Sequence, residues 1–302
     1  MIYYILANPN AGSRKGERSL KLLLPYLEEN GLSYKLFATE RTGQEASFIQ
    51  QILEEKKPED QLLILGGDGT ISLALNALPA DFSFGYIPSG SGNDFARSLG
   101  LSLDPIQAFK NIRHNQAKDF YVMRYKSQSF SGYALNNVGI GLDAAIVKAT
   151  NGSRVKKLLN SIKLGRLSYL MTALHVLFSK KSFCISIYNL KDTFKFDNAF
   201  LLTFTKHPYF GGGVKIAPEA SNLNQEIHLI ELDKYSMPKI FSLIPSVLQG
   251  RHLENDIFHH SVSTAVSVTP QSTQPVQIDG ETFEIQANDT LTLTSERRSI
   301  IC

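Results

Sequence analysis

Residues 62–70 read LLILGGDGT, an apolar run that breaks into glycine, glycine, aspartate, glycine and threonine. Leu62 to Leu65 predict a buried parallel strand and Ile71 to Leu78 a helix beginning directly afterwards, so Gly66, Gly67, Asp68, Gly69 and Thr70 are the whole connection. A strand feeding a helix through so short a turn is the unit of an α/β sheet. The glycines let the backbone approach a bulky anion, and the N–H groups of the new helix with the Thr70 hydroxyl offer donors to phosphate oxygens. Asp68 would repel a bare phosphate, so that use of the loop needs a divalent cation linking Asp68, directly or through water, to a phosphoryl group. The alternative is a glycine-rich turn with Asp68 bonded to its own loop. Glycine content alone does not separate the two.

The flanking sequence repeats the rhythm. Strand and helix patterns alternate over Ile2–Ala7, Glu17–Asn30, Ser33–Ala38, Gly43–Glu55, Gln61–Leu65 with its helix, and the strand Phe82–Ile87. This predicts an open α/β nucleotide-binding domain over residues 1–125, with ligand loops at the carboxyl ends of its strands. Beyond 126 the pattern turns β-rich, with strands expected at Gly132–Val138, Phe183–Tyr188, Ala199–Thr205, Ile227–Leu232, Ser261–Val268, Val276–Ile278 and Thr290–Thr294. Two helical stretches, Lys156–Phe178 and Pro238–Gln249, interrupt them. A larger β-sandwich or curled-sheet domain is expected over 126–289, with the tail 290–302 returning to the first domain.

A chain of 302 residues with 43% apolar content can fill two cores. Two cysteines, Cys184 and Cys302, provide neither a disulfide framework nor a metal spacing, which points to a reducing cytosol. The opening MIYYILANPN enters a strand without a basic region or cleavage site, so no signal peptide is expected. The apolar stretches are too short or too interrupted by charge to span a bilayer, and a soluble protein is expected.

Three strand-end loops can build one site. The first is NPNAG, Asn8 to Gly12, followed by Ser13, Arg14 and Lys15, a small and basic turn suited to phosphate oxygens. The second is GGDGT. The third is PSGSGNDFAR, Pro88 to Arg97, where Asn93 and Asp94 bring an amide and a carboxylate to the same rim. No GxxxxGK[ST] occurs, which excludes a Walker-type NTPase. Gly139, Gly141 and Ala144 match a dinucleotide fingerprint, yet no acidic residue lies between Asp143 and Asp192 to hold a ribose.

With NPNAG, GGDGT and PSGSGNDFAR in this order, the chain resembles the diacylglycerol kinase catalytic superfamily, specifically the bacterial soluble lipid kinases, which are related to sphingosine kinases and more distantly to NAD kinases. Further matches are NNVGIGLDA (Asn136–Ala144), LGRLSYL (Leu164–Leu170), FGGGVKIAP (Phe210–Pro218) and IDGE (Ile278–Glu281), so the resemblance covers nearly the whole chain. It implies an ATP-binding α/β domain, a larger β-sandwich domain, and transfer of the γ-phosphoryl group to a lipid hydroxyl at the membrane surface. Asn8, Pro9, Gly12, Arg14, Lys15, Thr39, Gly66, Gly67, Asp68, Gly69, Thr70, Gly90, Ser91 and Asn93 are then expected at the nucleotide. By the same resemblance Asp279 matches the catalytic base, Glu281 assists the metal and base network, and Asp68, Asp94 and Asp119 join Glu281 in holding Mg²⁺ through its water shell. Locally, Asp279-Gly280 also reads as an ordinary hairpin turn, and Asp119 as a capping or solvated residue. A cytoplasmic protein, peripheral at the inner face of the membrane, is implied, and a homodimer is the favoured assembly.

One departure concerns an accessory metal. Where many relatives have an Asp-Gly and then a Leu-Asp pair after the GGG segment, this chain has Asn224, Gln225 and His228, and neutral amides and imidazole replace hard carboxylate ligands. A second feature is a charge asymmetry. From Ala144 to Lys191 no acidic residue occurs, while Lys148, Arg154, Lys156, Lys157, Lys163, Arg166, Lys180, Lys181 and Lys191 are basic. Such a stretch suits an anionic membrane, each well-placed cation contributing roughly 1 kcal/mol, or else forms a core helix with a solvated basic face. No recognition motif supports nucleic acid as the partner. Two further readings are a soluble-substrate kinase of the NAD kinase type, which shares GGDGT, and a non-catalytic lipid or nucleotide sensor. The lipid acceptor stays open, because no motif reads a headgroup.

Overall fold

A computed structural model describes residues 1–152, 175–210 and 213–302. Arg154, Lys156, Lys157, Lys163, Arg166, the LGRLSYL motif and most of the helix expected over Lys156–Phe178 lie outside the described residues.

The N-terminal half is an α/β layer structure. Strands β1 (Tyr3–Ala7), β2 (Tyr34–Ala38), β3 (Gln61–Gly66) and β4 (Ser83–Pro88) pair in parallel in the order β2-β1-β3-β4. Successive side chains point to opposite faces, so these strands feed two cores. Tyr4, Leu6, Leu62 and Ile64 pack on one side with α2 (Glu45–Glu55) and α3 (Asp68–Ala77). Tyr3, Ile5, Leu63 and Leu65 pack on the other with α1 (Ala11–Glu29) and α5 (Pro105–His114). Between them, α4 (Asp94–Ser98) follows the third glycine loop.

The C-terminal half is β-rich. It comprises β5 (Ala117–Lys126), β6 (Ser131–Ala134), β7 (Asn137–Gly141), α6 (Leu142–Gly152), β8 (Phe183–Asn189), β9 (Thr193–Thr205), and the short pair β10 (Tyr209–Phe210) and β11 (Val214–Lys215). There follow β12 (Ile227–Asp233), α7 (Met237–Leu248), β13 (Phe258–Ser263), β14 (Ala265–Pro270), β15 (Gln274–Ile278), β16 (Glu281–Ile285) and β17 (Leu291–Ile301). Its core gathers Val138, Ile140, Ile185, Leu202, Phe204, Leu229, Val268, Val276 and Leu293. The two halves share one hydrogen-bonded sheet. β17 pairs with β14 at Leu291–Thr294, with β4 at Ser299–Ile301, and with β5 over ten residues.

Two expected strands are broken, each by a hydrogen-bond partner distant in sequence. The Gly132–Val138 run divides after Ala134 because the N–H groups of Leu135, Asn136 and Asn137 turn to the carboxylate of Asp279. The Ser261–Val268 run divides at Thr264, whose carbonyl accepts the Ser295 N–H at 2.9 Å. Helix α5 was not anticipated, although Asp104-Pro105 is a readable start: Asp104 Oδ1 accepts the Gln107 N–H at 2.7 Å and the proline occupies the first turn.

Candidate active site

The three glycine loops meet at the carboxyl ends of β1, β3 and β4. Asn8 joins the first two: its N–H donates to the Leu65 carbonyl at 2.9 Å, and its Nδ2 donates to Thr70 Oγ1 at 3.2 Å. The Ser89 N–H donates to the Gly66 carbonyl at 2.7 Å and ties the second loop to the third. A Cβ on Gly90 would lie 2.7 Å from Gly67 Cα, and one on Gly12 would lie 2.6 Å from the Ser89 carbonyl oxygen. These glycines thus let one loop lie on another. Around Gly69, by contrast, a Cβ would meet nothing within 4 Å, so there the backbone adjoins open space.

A cleft of about 380 Å³ lies over the loops, lined by Asn8, Ala11, Gly12, Thr42, Glu45, Gly67, Asp68, Gly69, Thr70, Ser72, Leu73, Gly90, Ser91, Asp279 and Glu281. The last two come from the other half of the chain. Asp279 and Gly280 have φ of 49° and 91°, the left-handed pair of a two-residue hairpin joining β15 to β16. The hairpin turn and the cleft carboxylate expected here are therefore one and the same. Asp279 Oδ1 accepts from the N–H groups of Asn136 (2.8 Å) and Asn137 (3.1 Å); Oδ2 accepts from the Leu135 N–H (2.6 Å) and the Ser72 hydroxyl (2.8 Å). Burial pushes this carboxyl up from its ordinary range, while the four donors pull it back.

Behind the hairpin, Gln277 acts as a strut. Its Nε2 donates to Asn137 Oδ1 and, at 2.8 Å, to Asp143 Oδ2, while its Oε1 accepts the Gly280 N–H at 3.0 Å. Burial raises Asp143 to about 7. The NNVGIGLDA motif thus serves the hairpin from beneath, a role with no local signal in the sequence.

Asp68 sits between the loops. Its Oδ2 accepts the Asp94 N–H at 3.1 Å and its Oδ1 the Phe95 N–H at 3.3 Å. Burial raises its carboxyl to about 6 against the pull of these two donors, and the neighbouring charges of Asp94 and Asp279 push the same way. A Cβ on Gly92 would lie 3.7 Å from Asp68 Oδ2 and 3.8 Å from Asp94 Oδ2, so both carboxylates border one small volume. Among the described residues no three carboxylate, imidazole or thiolate side chains form a ready cage for an ion. The donor set fits a cation that keeps most of its water, as Mg²⁺ does, beside two half-buried carboxylates of which Asp94 also pairs with Arg97 at 3.0 Å.

Other expected site residues are placed differently. Asn93 has a left-handed φ of 52° and locks its own loop, accepting the Gly90 N–H at 2.8 Å. Thr39 is buried, and its N–H donates to the Ala7 carbonyl at 2.8 Å. Arg14 and Lys15 are exposed in the kinked start of α1, where Arg14 has φ of 67°. The Pro9 carbonyl accepts the Glu17 N–H at 2.9 Å, across the kink at Gly12 to Arg14. Asp119 is exposed on β5, in an ion pair with Arg297 at 3.3 Å, and does not line the cleft. Ser72, Leu73, Thr42 and Glu45 line it without having been anticipated.

The loop of Asn224 to Glu226 is already held by a cation of the chain itself, and His228 lies beyond it on β12. The fully buried Lys206 donates its ammonium to the carbonyls of Asn224 (3.0 Å) and Glu226 (2.8 Å) and to Ser295 Oγ (3.0 Å). Burial lowers Lys206 to about 7.

A glycine-loop α/β layer facing a carboxylate hairpin across a cleft defines a phosphotransferase with an alcohol group as acceptor. The chain belongs to the diacylglycerol kinase-like family of bacterial lipid kinases. The diacylglycerol kinase catalytic domain matches residues 3–125, and the YegS C-terminal NAD kinase beta sandwich-like domain matches residues 136–290. The chain is 26% identical over 289 residues to YtlR of Bacillus subtilis, named as a candidate lipid kinase, covering 92% of this chain and 93% of YtlR. It is 26% identical over 281 residues to the diacylglycerol kinase of Staphylococcus saprophyticus, covering 92% and 88%. A crystal structure of a candidate diacylglycerol kinase from Bacillus anthracis shares the fold, with a TM-score of 0.75 at 20% identity over 99% of this chain and 96% of the other.

Proposed function

We propose that this protein is an ATP-dependent lipid kinase that transfers the γ-phosphoryl group to a hydroxyl of a membrane lipid, diacylglycerol or a related lipid. The observation that carries the reading is that Asp279 and Glu281 of the β-rich half line one cleft with the glycine loops of the α/β half. In this reading Asn8, Gly12, Gly67, Gly69, Thr70, Gly90 and Ser91 surround the phosphates, with Arg14 and Lys15 adding charge at the rim. Pro9, Thr39, Gly66 and Asn93 give the loops their shape. Asp68 and Glu281, with Asp94 beside Asp68, would hold Mg²⁺, which would supply charge neutralisation at the phosphates. Asp119 falls outside this set because it faces solvent beside Arg297. Asp279 receives or orients the proton of the attacking alcohol. The functional division of the chain is 1–125 with 290–302 for the nucleotide, and 126–289 for the lipid.

A cytoplasmic protein working at the inner face of the membrane suits the surface as well. Phe178, Phe241, Ile244 and Leu248 are exposed, and the rings of Phe178 and Phe241 lie 6.1 Å apart. Exposed Lys181 and Lys239 adjoin them in sequence, next to the basic stretch 144–191. Greasy side chains beside cations fit an anionic bilayer surface. Among the described residues no helix is long and apolar enough to cross it.

The test is to incubate the protein with ATP and magnesium and, separately, with total membrane lipid or NAD, and to follow products by mass spectrometry. A phosphorylated lipid is the expected product. NADP would move the assignment to the soluble-substrate class, and no product from either pool would contradict catalysis.

A further inference from the structure

An ionised carboxylate offers two oxygens and about four lone-pair directions. In Asp279 all four are occupied, by the N–H groups of Asn136 and Asn137 on Oδ1 and by the Leu135 N–H and Ser72 hydroxyl on Oδ2. A base so placed can take a proton from a substrate only by giving up a donor. Three of the donors are backbone amides that form the corner between β6 and β7, and an amide does not pass its proton on. The fourth differs, because a hydroxyl donates and accepts at once. Ser72 lies on the first turns of α3, lines the cleft, and spends its proton on Asp279.

We infer that the acceptor alcohol does not reach Asp279 directly but hands its proton to Ser72 Oγ, which passes its own to Asp279 Oδ2. The inference rests on the reading that an alcohol is phosphorylated in this cleft. As the alcohol oxygen bonds to the γ-phosphorus, the bond to the β–γ bridging oxygen breaks and its electron pair leaves with ADP. The alcohol proton moves to Ser72 Oγ, the former Ser72 proton moves to Asp279, and the serine ends as it began. The net change is alcohol plus ATP plus carboxylate to phosphate ester plus ADP plus carboxylic acid. Ser72 is then a catalytic residue, and the amides of residues 135–137 keep Asp279 aimed at it.

The test compares Ser72→Thr with Ser72→Val, side chains of equal shape of which only one has a hydroxyl, in single turnovers with γ-labelled ATP and total membrane lipid in detergent micelles. Expected are turnover by the threonine variant within about tenfold of the native rate and a further loss of about 10²-fold for valine, with equal ATP affinity and with both variants folded at the assay temperature. Threonine and valine variants that work equally well would overturn the relay. If both larger side chains block the cleft, Ser72→Ala decides. Under the relay it loses about tenfold or more. If Asp279 is reached directly it works as well as the native enzyme or better, since Oδ2 then has a lone pair free. Asp279→Asn run alongside separates the two ideas. A valine variant that turns over while Asp279→Asn does not removes the relay and keeps Asp279 as base; turnover by both removes the base as well. A native protein that labels no lipid removes the underlying reading and the relay with it.

Discussion

The carboxylate of Asp68 accepts the backbone N–H of Asp94, so a side chain of the second glycine loop fixes the start of the helix that follows the third. A neutral amide at residue 68 would keep only one of the two oxygens that accept the Asp94 and Phe95 N–H groups, a loss independent of pH, while the charge itself is held in an unfavourable setting. Asp68 is raised to about 6 from an ordinary value of 3.8. Between those values the folded chain keeps a proton that the unfolded chain has released. Stability owed to this group is therefore full below about pH 4 and is lost as pH rises through about 6. At about 1.4 kcal/mol per unit the loss is at most about 3 kcal/mol. Asp68→Asn is expected to abolish turnover and, in urea titrations without magnesium, to gain stability relative to the native protein from pH 4 to pH 7.5. A stability difference that does not change with pH would contradict this.

Gly67 and Gly90 are expected to be intolerant of a methyl group for a different reason from Gly69. Gly90→Ala drives its Cβ against the Gly67 backbone at 2.7 Å, an overpacking expected to cost about 1 to 3 kcal/mol. Gly69→Ala meets only open space, so it is expected to melt like the native protein and to bind ATP more weakly. Thermal melts and nucleotide titration of both variants check the contrast. A Gly69→Ala variant with native ATP affinity would remove that residue from the nucleotide site.

Asp279→Asn is less neutral than its shape suggests. The amide replaces an accepting oxygen with a donor that faces backbone N–H groups, leaving some of the donors at residues 135–137 and Ser72 without a partner. A stability loss of about 1 to 3 kcal/mol is expected together with the loss of turnover. The asparagine retains the left-handed hairpin, which it tolerates as well as aspartate does. ATP binding, measured by calorimetry below the melting transition, is expected to survive. A variant as stable as the native protein would show that these hydrogen bonds carry little net energy.

The exposed apolar group on α7 gives a separable prediction. Phe241→Ser and Leu248→Ser together, with side chains that are 38% and 67% exposed, are expected to leave the melting temperature nearly unchanged. They are expected to weaken co-sedimentation with anionic vesicles, each lost side chain costing on the order of 1 kcal/mol of partition energy. Undiminished vesicle binding at low salt would assign the membrane contact to another surface.

The α/β half was legible because strands Leu62–Leu65 and Ile2–Ala7 are apolar throughout, as strands buried on both faces must be, and because glycines mark where each one ends. The fold class followed from that alternation and from strand density beyond residue 126. The site was legible only in parts. Asp68 lies inside a glycine motif, and Asp279 lies in a matching IDGE, so each carried a signal of its own. Ser72 carried none, since a serine in an early helical turn is ordinary and its partner is 207 residues away. The break between β6 and β7 was hidden for the same reason, as the acceptor that draws those amides out of the ladder comes from a distant hairpin. Lys206 shows the limit from the other side: it follows the expected strand Ala199–Thr205 with no signal of its own, and only the fold reveals that its ammonium is held by two carbonyls and a serine hydroxyl.

β17 gives its first residues to β14 of one half and its last to β4 of the other, while β5 runs along it for ten residues. Two bodies joined by a loop can swing like a jaw, but two bodies joined by a common strand cannot do so without tearing rungs from a shared ladder, at about 1 kcal/mol for each. The gap between the glycine loops and the Asp279 hairpin is thus expected to behave more like a gauge than a mouth, its width set by the shared strand. In a cleft of that kind the depth and tilt at which a hydroxyl is presented weigh more than any swing of one half against the other.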